Sequence, residues 1–140
     1  FILVVTRQSI PTREQFYKLF IVSLGVVFGF PVLTSIAMQT VPSSHGGVVL
    51  GLLPIATAIV GFLISNDRPS IGFWIVAIIG GSIVVIFSYI NGANSIHIGD
   101  LALLGSIVCA AIGYAVGGEL SKSMGGWQVI CWALVISLPF

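Results

Sequence analysis

Charge is what this chain most lacks. Five Lys or Arg and four Asp or Glu are spread over 140 residues, 6% of the whole, where a soluble domain carries about 25%. So few charged groups cannot cover a water-exposed surface, which leaves lipid as the surroundings. A net charge of +1 excludes the basic stripe of a nucleic-acid binder, so no nucleic-acid partner is expected. Cysteine is scarce as well. Cys109 and Cys131 both lie in apolar stretches, away from His or carboxylate partners, and read as small buried hydrophobes instead of a disulfide or metal pair. There is no Gly-x-x-x-x-Gly-Lys-Ser/Thr loop, hence no sign of a nucleotide motor. No Asp, Glu, Lys or Arg falls in the middle of an apolar stretch, and no catalytic Ser/His or paired-Asp set is embedded in one. The chain therefore does not read as an enzyme, and no cofactor or metal is expected. The alternation of barrel strands is missing too, while Ala, Leu and Gly are frequent, which leaves helices.

What charge there is lies on one side. Arg7, Arg13 and Lys18 precede the first long apolar stretch, Arg68 follows the second and Lys122 the fourth, whereas Pro42–Gly47 and Asn91–Gly99 hold no Lys or Arg. Basic loops stay in the cytoplasm, so 7–18, 65–69 and 119–126 are expected to be cytoplasmic loops of a multi-pass protein of the bacterial cytoplasmic (inner) membrane. The spans are expected over about Leu19–Thr40, Gly46–Ile64, Ser70–Ile90 and Gly99–Gly118, with a fifth starting near Trp127 and Phe1–Thr6 closing an earlier one. At ~1.5 Å per residue the complete ones cross a hydrocarbon core of about 30 Å. Tyr17, Trp74 and Trp127 near one interface and Tyr89 near the other form the aromatic belts. With Phe1 and Phe140 both inside apolar runs, the chain reads as an internal fragment of a longer protein.

Two prolines stand out within the spans. Counted from the inner ends, Pro31 and Pro54 both come roughly 15–18 Å deep, near the midplane. Each removes a helical hydrogen bond, which frees the carbonyls of Val27 and Leu50. Free backbone acceptors at that depth are tolerated where they face protein or a water-filled cavity. One reading is a pair of broken helices lining a substrate site, with Thr34 and Thr57 beside the kinks. The other is a pair of ordinary kinks whose carbonyls neighbouring Ser or Thr satisfy. Tyr114, flanked by Gly113 and Gly117, is expected to point into the bundle, where it could face Trp132 as a wall or inner gate. Gly25/Gly29, Gly47/Gly51, Gly113/Gly117 and Ala77/Gly81 have the four-residue spacing that lets helices approach closely. These faces also leave room for a homo-oligomer. Asp100 is expected to cap the fourth span, Glu119 to be interfacial, and His45 and His97 to be ordinary loop residues.

Val41-Pro-Ser-Ser-His-Gly-Gly-Val-Val-Leu-Gly-Leu-Leu-Pro-Ile-Ala-Thr-Ala58 resembles the segment that joins the third and fourth helices of the EamA repeat in the drug/metabolite transporter superfamily. Gly99-Asp-Leu-Ala-Leu-Leu-Gly-Ser106 is similar to the opening of that family's second repeat, and Gly125–Val135 to its next helix. The resemblance implies an all-α membrane protein, a fragment of a ten-helix bundle of two inverted repeats. On that plan 1–90 is the C-terminal part of the first repeat (the end of helix 2 and helices 3–5). Residues 91–98 are an outer linker, and 99–140 start the second repeat (helix 6 and part of helix 7). Two features depart from the pattern. Ser65-Asn-Asp-Arg68 replaces the family's Gly-Glu before Arg, and Ala110 stands where many relatives have Trp, so neither the Glu nor an aromatic wall there carries over.

The resulting expectation is a secondary transporter, a permease moving small metabolites such as amino acids outward across the bilayer by alternating access. Pro31, Thr34, Pro54, Thr57 and Tyr114 are the expected pocket or hinge positions. The alternative is a non-transporting scaffold or assembly subunit that packs partners on its glycine-spaced faces.

Overall fold

Thr12 opens the first helix in the computed structural model, which describes residues 10–65, 69–90 and 98–139. The Thr12 hydroxyl accepts from the Gln15 amide (3.4 Å) and the Gln15 side chain accepts from the Thr12 amide (2.9 Å). This reciprocal box satisfies donors that the helix itself cannot. Helix α1, Arg13–Val22, follows, with Lys18 Nζ 2.9 Å from Glu14 Oε1 one turn earlier. Arg13–Lys18 is therefore helical, not the expected loop; residues 7–9 and Phe1–Thr6 lie outside the described residues. The span continues as a π-helical segment, Ser23–Gly29, and then α2, Phe30–Ala37. In the π segment the Phe30 amide donates to Gly25 O, five residues back. Pro31 has no amide hydrogen, so the five-residue ladder ends there and ordinary helix resumes. In this register the acceptor Pro31 leaves without its helical donor is Val26 O, not the Val27 O that α-helical spacing predicts.

The return span is broken in two. Helix α3, Ser43–Leu50, stops at Gly51–Leu52, where Gly51 N bonds Val48 O and Leu52 N bonds Val49 O across only three residues. Helix α4, Leu53–Ser65, starts beyond the break, so Pro54 lies in its first turn, where a missing amide hydrogen costs least. The interruption is thus a tight double turn just ahead of Pro54. Helix α5, Ile71–Ile90, begins with the Ser70 hydroxyl accepting from Phe73 N (3.2 Å). Helix α6, Ile98–Met124, runs 27 residues and outlasts its apolar stretch, turning most of the expected loop 119–126 into helix. No breaker occurs in Glu119–Met124, and Lys122 Nζ lies 2.8 Å from Glu119 Oε2. Gly125, at φ +91°, then ends it in a conformation open to glycine alone and leads into α7, Gly126–Ser137.

Helix α6 is the hub. The first span, α3, α4 and α7 all pack on it, and α5 packs on α3 and α4. One apolar cluster joins Leu19 and Val22 of α1 to Val116 and Leu120 of α6 and Val129 and Ala133 of α7. A second, at the opposite end, joins Ala37 and Val41 to Leu103. Between them α6 crosses the π segment with Gly25 against Gly113. A Cβ on Gly25 would meet Cys109 O at 2.5 Å and Gly113 Cα at 3.2 Å. Among the described residues, three stretches, Arg13–Ala37, His45–Ile64 and Ile98–Met124, are long and apolar enough to cross a membrane. Every element among the described residues is helical. The chain is an all-α integral membrane protein.

Candidate functional site

Both proline sites coincide with interruptions, and the two interruptions differ. At Pro31 the helix is underwound into the π register on its N-terminal side, a distortion often found where helices carry function. At Pro54 the helix stops and restarts. Both proline rings are exposed. Helices α2 and α4 each pack on α6, which keeps the two interruptions on one shared partner. A cavity of about 240 Å³ adjoins Pro54, lined also by Gly51 and Ile55 and, from α5, by Phe73, Ala77 and Gly81. That cavity takes in none of Pro31, Thr34, Thr57 or Tyr114.

The two threonines are used differently. Thr57 Oγ1 donates to Leu53 O (2.9 Å), one turn back, so its hydroxyl is occupied by its own helix. It does not reach Leu50 O, the carbonyl that Pro54 was expected to free. Thr34 stands one turn before the fully buried Ala37, on the side of α2 that meets α6, and its Oγ1 is buried without a hydrogen-bond partner. A buried hydroxyl in that state loses its hydration for no return. It is a polar side-chain atom near the first interruption that the fold leaves without a partner.

Tyr114 and Trp132 do not face each other. Trp132 packs against the Leu19–Val116–Val129 cluster, on the side of α6 that carries Val116 and Leu120. At ~100° per residue, Tyr114 lies roughly 160° around the helix from Val116 and 120° from Leu120. Its ring is 45% exposed instead of enclosed. It continues the stripe of Leu103, Ile107 and Ala110, all at most 4% exposed, so the packing on that stripe opens below Ala110 and Tyr114 stands at the opening. Trp132 borders a groove of about 480 Å³ with Phe16, Phe20 and Ile136, and its indole Nε1 is buried without a partner.

One pairing was not anticipated. His45 Nε2 lies 2.9 Å from Asp100 Oδ1, with both side chains less than one-fifth exposed. His45 is thus in the first turn of α3 and not an ordinary loop residue, and Asp100 is in the first turn of α6, past the cap position. His97 lies outside the described residues. The available signal was scarcity: in a chain with so few ionisable groups, a His and an Asp at the same end of adjacent helices have few other partners.

The profile of the EamA-like transporter family matches residues 1–89. The uncharacterized transporter YdeK of Bacillus subtilis (strain 168) is 46% identical over 138 residues, 99% of this chain and 48% of that protein. The chain thus spans about half the length of the curated relative it matches. No solved structure matches the chain at a significant level.

Proposed function

This chain belongs to the EamA-like transporter family, and from that premise we propose that it is part of a secondary carrier exporting small metabolites, amino acids or related compounds, by alternating access. The observation that carries the reading is the family match itself. The interrupted spans support where the work is done. Residues 1–90 form the end of the first repeat, 91–98 the outer linker and 99–140 the start of the second, with the basic end of the bundle in the cytoplasm of a bacterial inner membrane. The two repeats rock about a midplane site, and discontinuous helices at that depth supply unpaired backbone groups for a polar substrate. Pro31 and Pro54 are the hinges, Thr34 offers the available hydroxyl, Thr57 stabilises the restart of α4, and Tyr114 borders the inner opening. Reconstitution of the full-length protein in liposomes with a panel of radiolabelled amino acids tests this. Saturable counterflow of one class is expected, and no flux for any tested class favours the scaffold reading.

Thr34→Val separates the site role from a packing role. Removing a buried, unpartnered hydroxyl from a nearly isosteric side chain is expected to stabilise the protein by about 1 kcal/mol, read as a raised melting temperature. The same variant is expected to transport more slowly, because the hydroxyl is there for the substrate. Faster or equal transport with raised stability would leave Thr34 as a packing residue.

A further inference from the structure

The ion pairs Lys18–Glu14 and Lys122–Glu119 each lie within one helix and are exposed. His45–Asp100 is different in kind: it spans 55 positions of sequence and joins two helices. It also lies at the end of the bundle away from Arg13, Lys18 and Lys122. There the N-terminal first turns of α3 and α6 meet, and two like-signed helix ends would repel if nothing stood between them. The Asp100 carboxylate is the negative group at that junction, and His45 holds it across the gap. The approach is close on a second side too, since a Cβ on Gly99 would collide with Thr40 and Val41. Packing of α3 on α6 is otherwise slight compared with that of α2 and α4, so this end depends on a few contacts.

We propose that the His45–Asp100 pair is a latch that holds the outer ends of α3 and α6 together and parts when the carrier opens on that side. The inference rests on the alternating-access reading above for its meaning, though not for its existence as a contact. A hydrogen bond to a carboxylate that is mostly shielded from solvent suits this role. It is strong enough to bias a two-state equilibrium and weak enough to be broken by substrate binding, since couplings between sites typically amount to about 5- to 150-fold. Because Asp100 sits on the element that follows the outer linker and His45 on one that precedes it, separation of the two repeats at this end has to break the pair.

The test uses the full-length protein in proteoliposomes, with nitroxide labels at S43C and L101C, both exposed positions, on a C109S/C131S background. The native pair is expected to give one short distance. H45Q and D100N are each expected to raise the long-distance fraction at least about fivefold, and the double variant H45Q/D100N no further than the larger single effect. The exchange H45D/D100H, which keeps a carboxylate and an imidazole at the junction, is expected to restore the short distance. An unchanged distribution in folded H45Q and D100N overturns the latch, as does an additive double variant. If the single variants fail to fold, the exchange decides: short distances support the latch and long ones overturn it. Labels at Y17C and S123C, at the basic end, keep the two readings apart. Closure there as the outer end opens supports rocking, whereas outer opening without it leaves the latch standing and counts against alternating access.

Discussion

Gly25→Leu is expected to abolish the folded state of the full-length protein, and Gly25→Ala to cost about 1–3 kcal/mol. The reason is that the neighbour cannot yield. The atom facing an added Cβ at 2.5 Å is the Cys109 carbonyl oxygen, part of the α6 backbone, with Gly113 Cα behind it at 3.2 Å. Rotamer changes cannot relieve a clash with a helix backbone, so α6 and the π segment must separate. In lipid, where helices associate through close packing and not through expulsion of water, separation removes most of what holds them together. Gly61→Ala is the matched control, since an added Cβ there meets nothing within 4 Å and Ala is the better helix former. Size-exclusion profiles and thermal unfolding of the purified protein should show loss of the monodisperse peak for Gly25→Leu and none for Gly61→Ala. Equal behaviour of the two would mean that the Gly25–Gly113 crossing is not needed for the fold.

The largest functional effect is expected from P31A/P54A. Each change restores an amide hydrogen, letting the first span run on in one register and removing a reason for the Gly51–Leu52 break. Stability is expected to hold or rise, while the counterflow rate in proteoliposomes falls at least tenfold, equivalent to about 1.4 kcal/mol in the barrier. The split between stability and rate is what identifies a hinge. Native transport by the folded double variant would show that the interruptions are ordinary kinks.

Much of the fold was legible because lipid imposes a simple rule: apolar length marks a span. That rule describes hydrophobicity, and so it misplaced helix ends. Arg13–Lys18 and Glu119–Met124 are polar enough to look like loops, yet a capping box starts the one and no breaker stops the other before Gly125. The prolines were legible as interruptions, but not their form. A π register and a double turn depend on which carbonyls neighbouring backbones leave available, a tertiary matter. Facing was least legible. Tyr114 and Trp132 come close in depth, and only the angular offset around α6 shows that they look in different directions. His45–Asp100 needed two helix ends to be neighbours in space before either residue acquired a partner.

The position of α6 has a bearing on how the protein is made. The stretch that the family profile recognises ends at residue 89, and the helix on which its described spans pack begins at Ile98. A ribosome therefore delivers α1 to α4 into the bilayer before their common partner exists, with the face around Gly25 uncovered until α6 emerges. The early spans must wait, side by side with lipid or an insertion factor, for a helix encoded beyond the profile match. For the described residues, then, the unit that the family profile recognises and the unit that gains stability together during synthesis are not the same piece of chain.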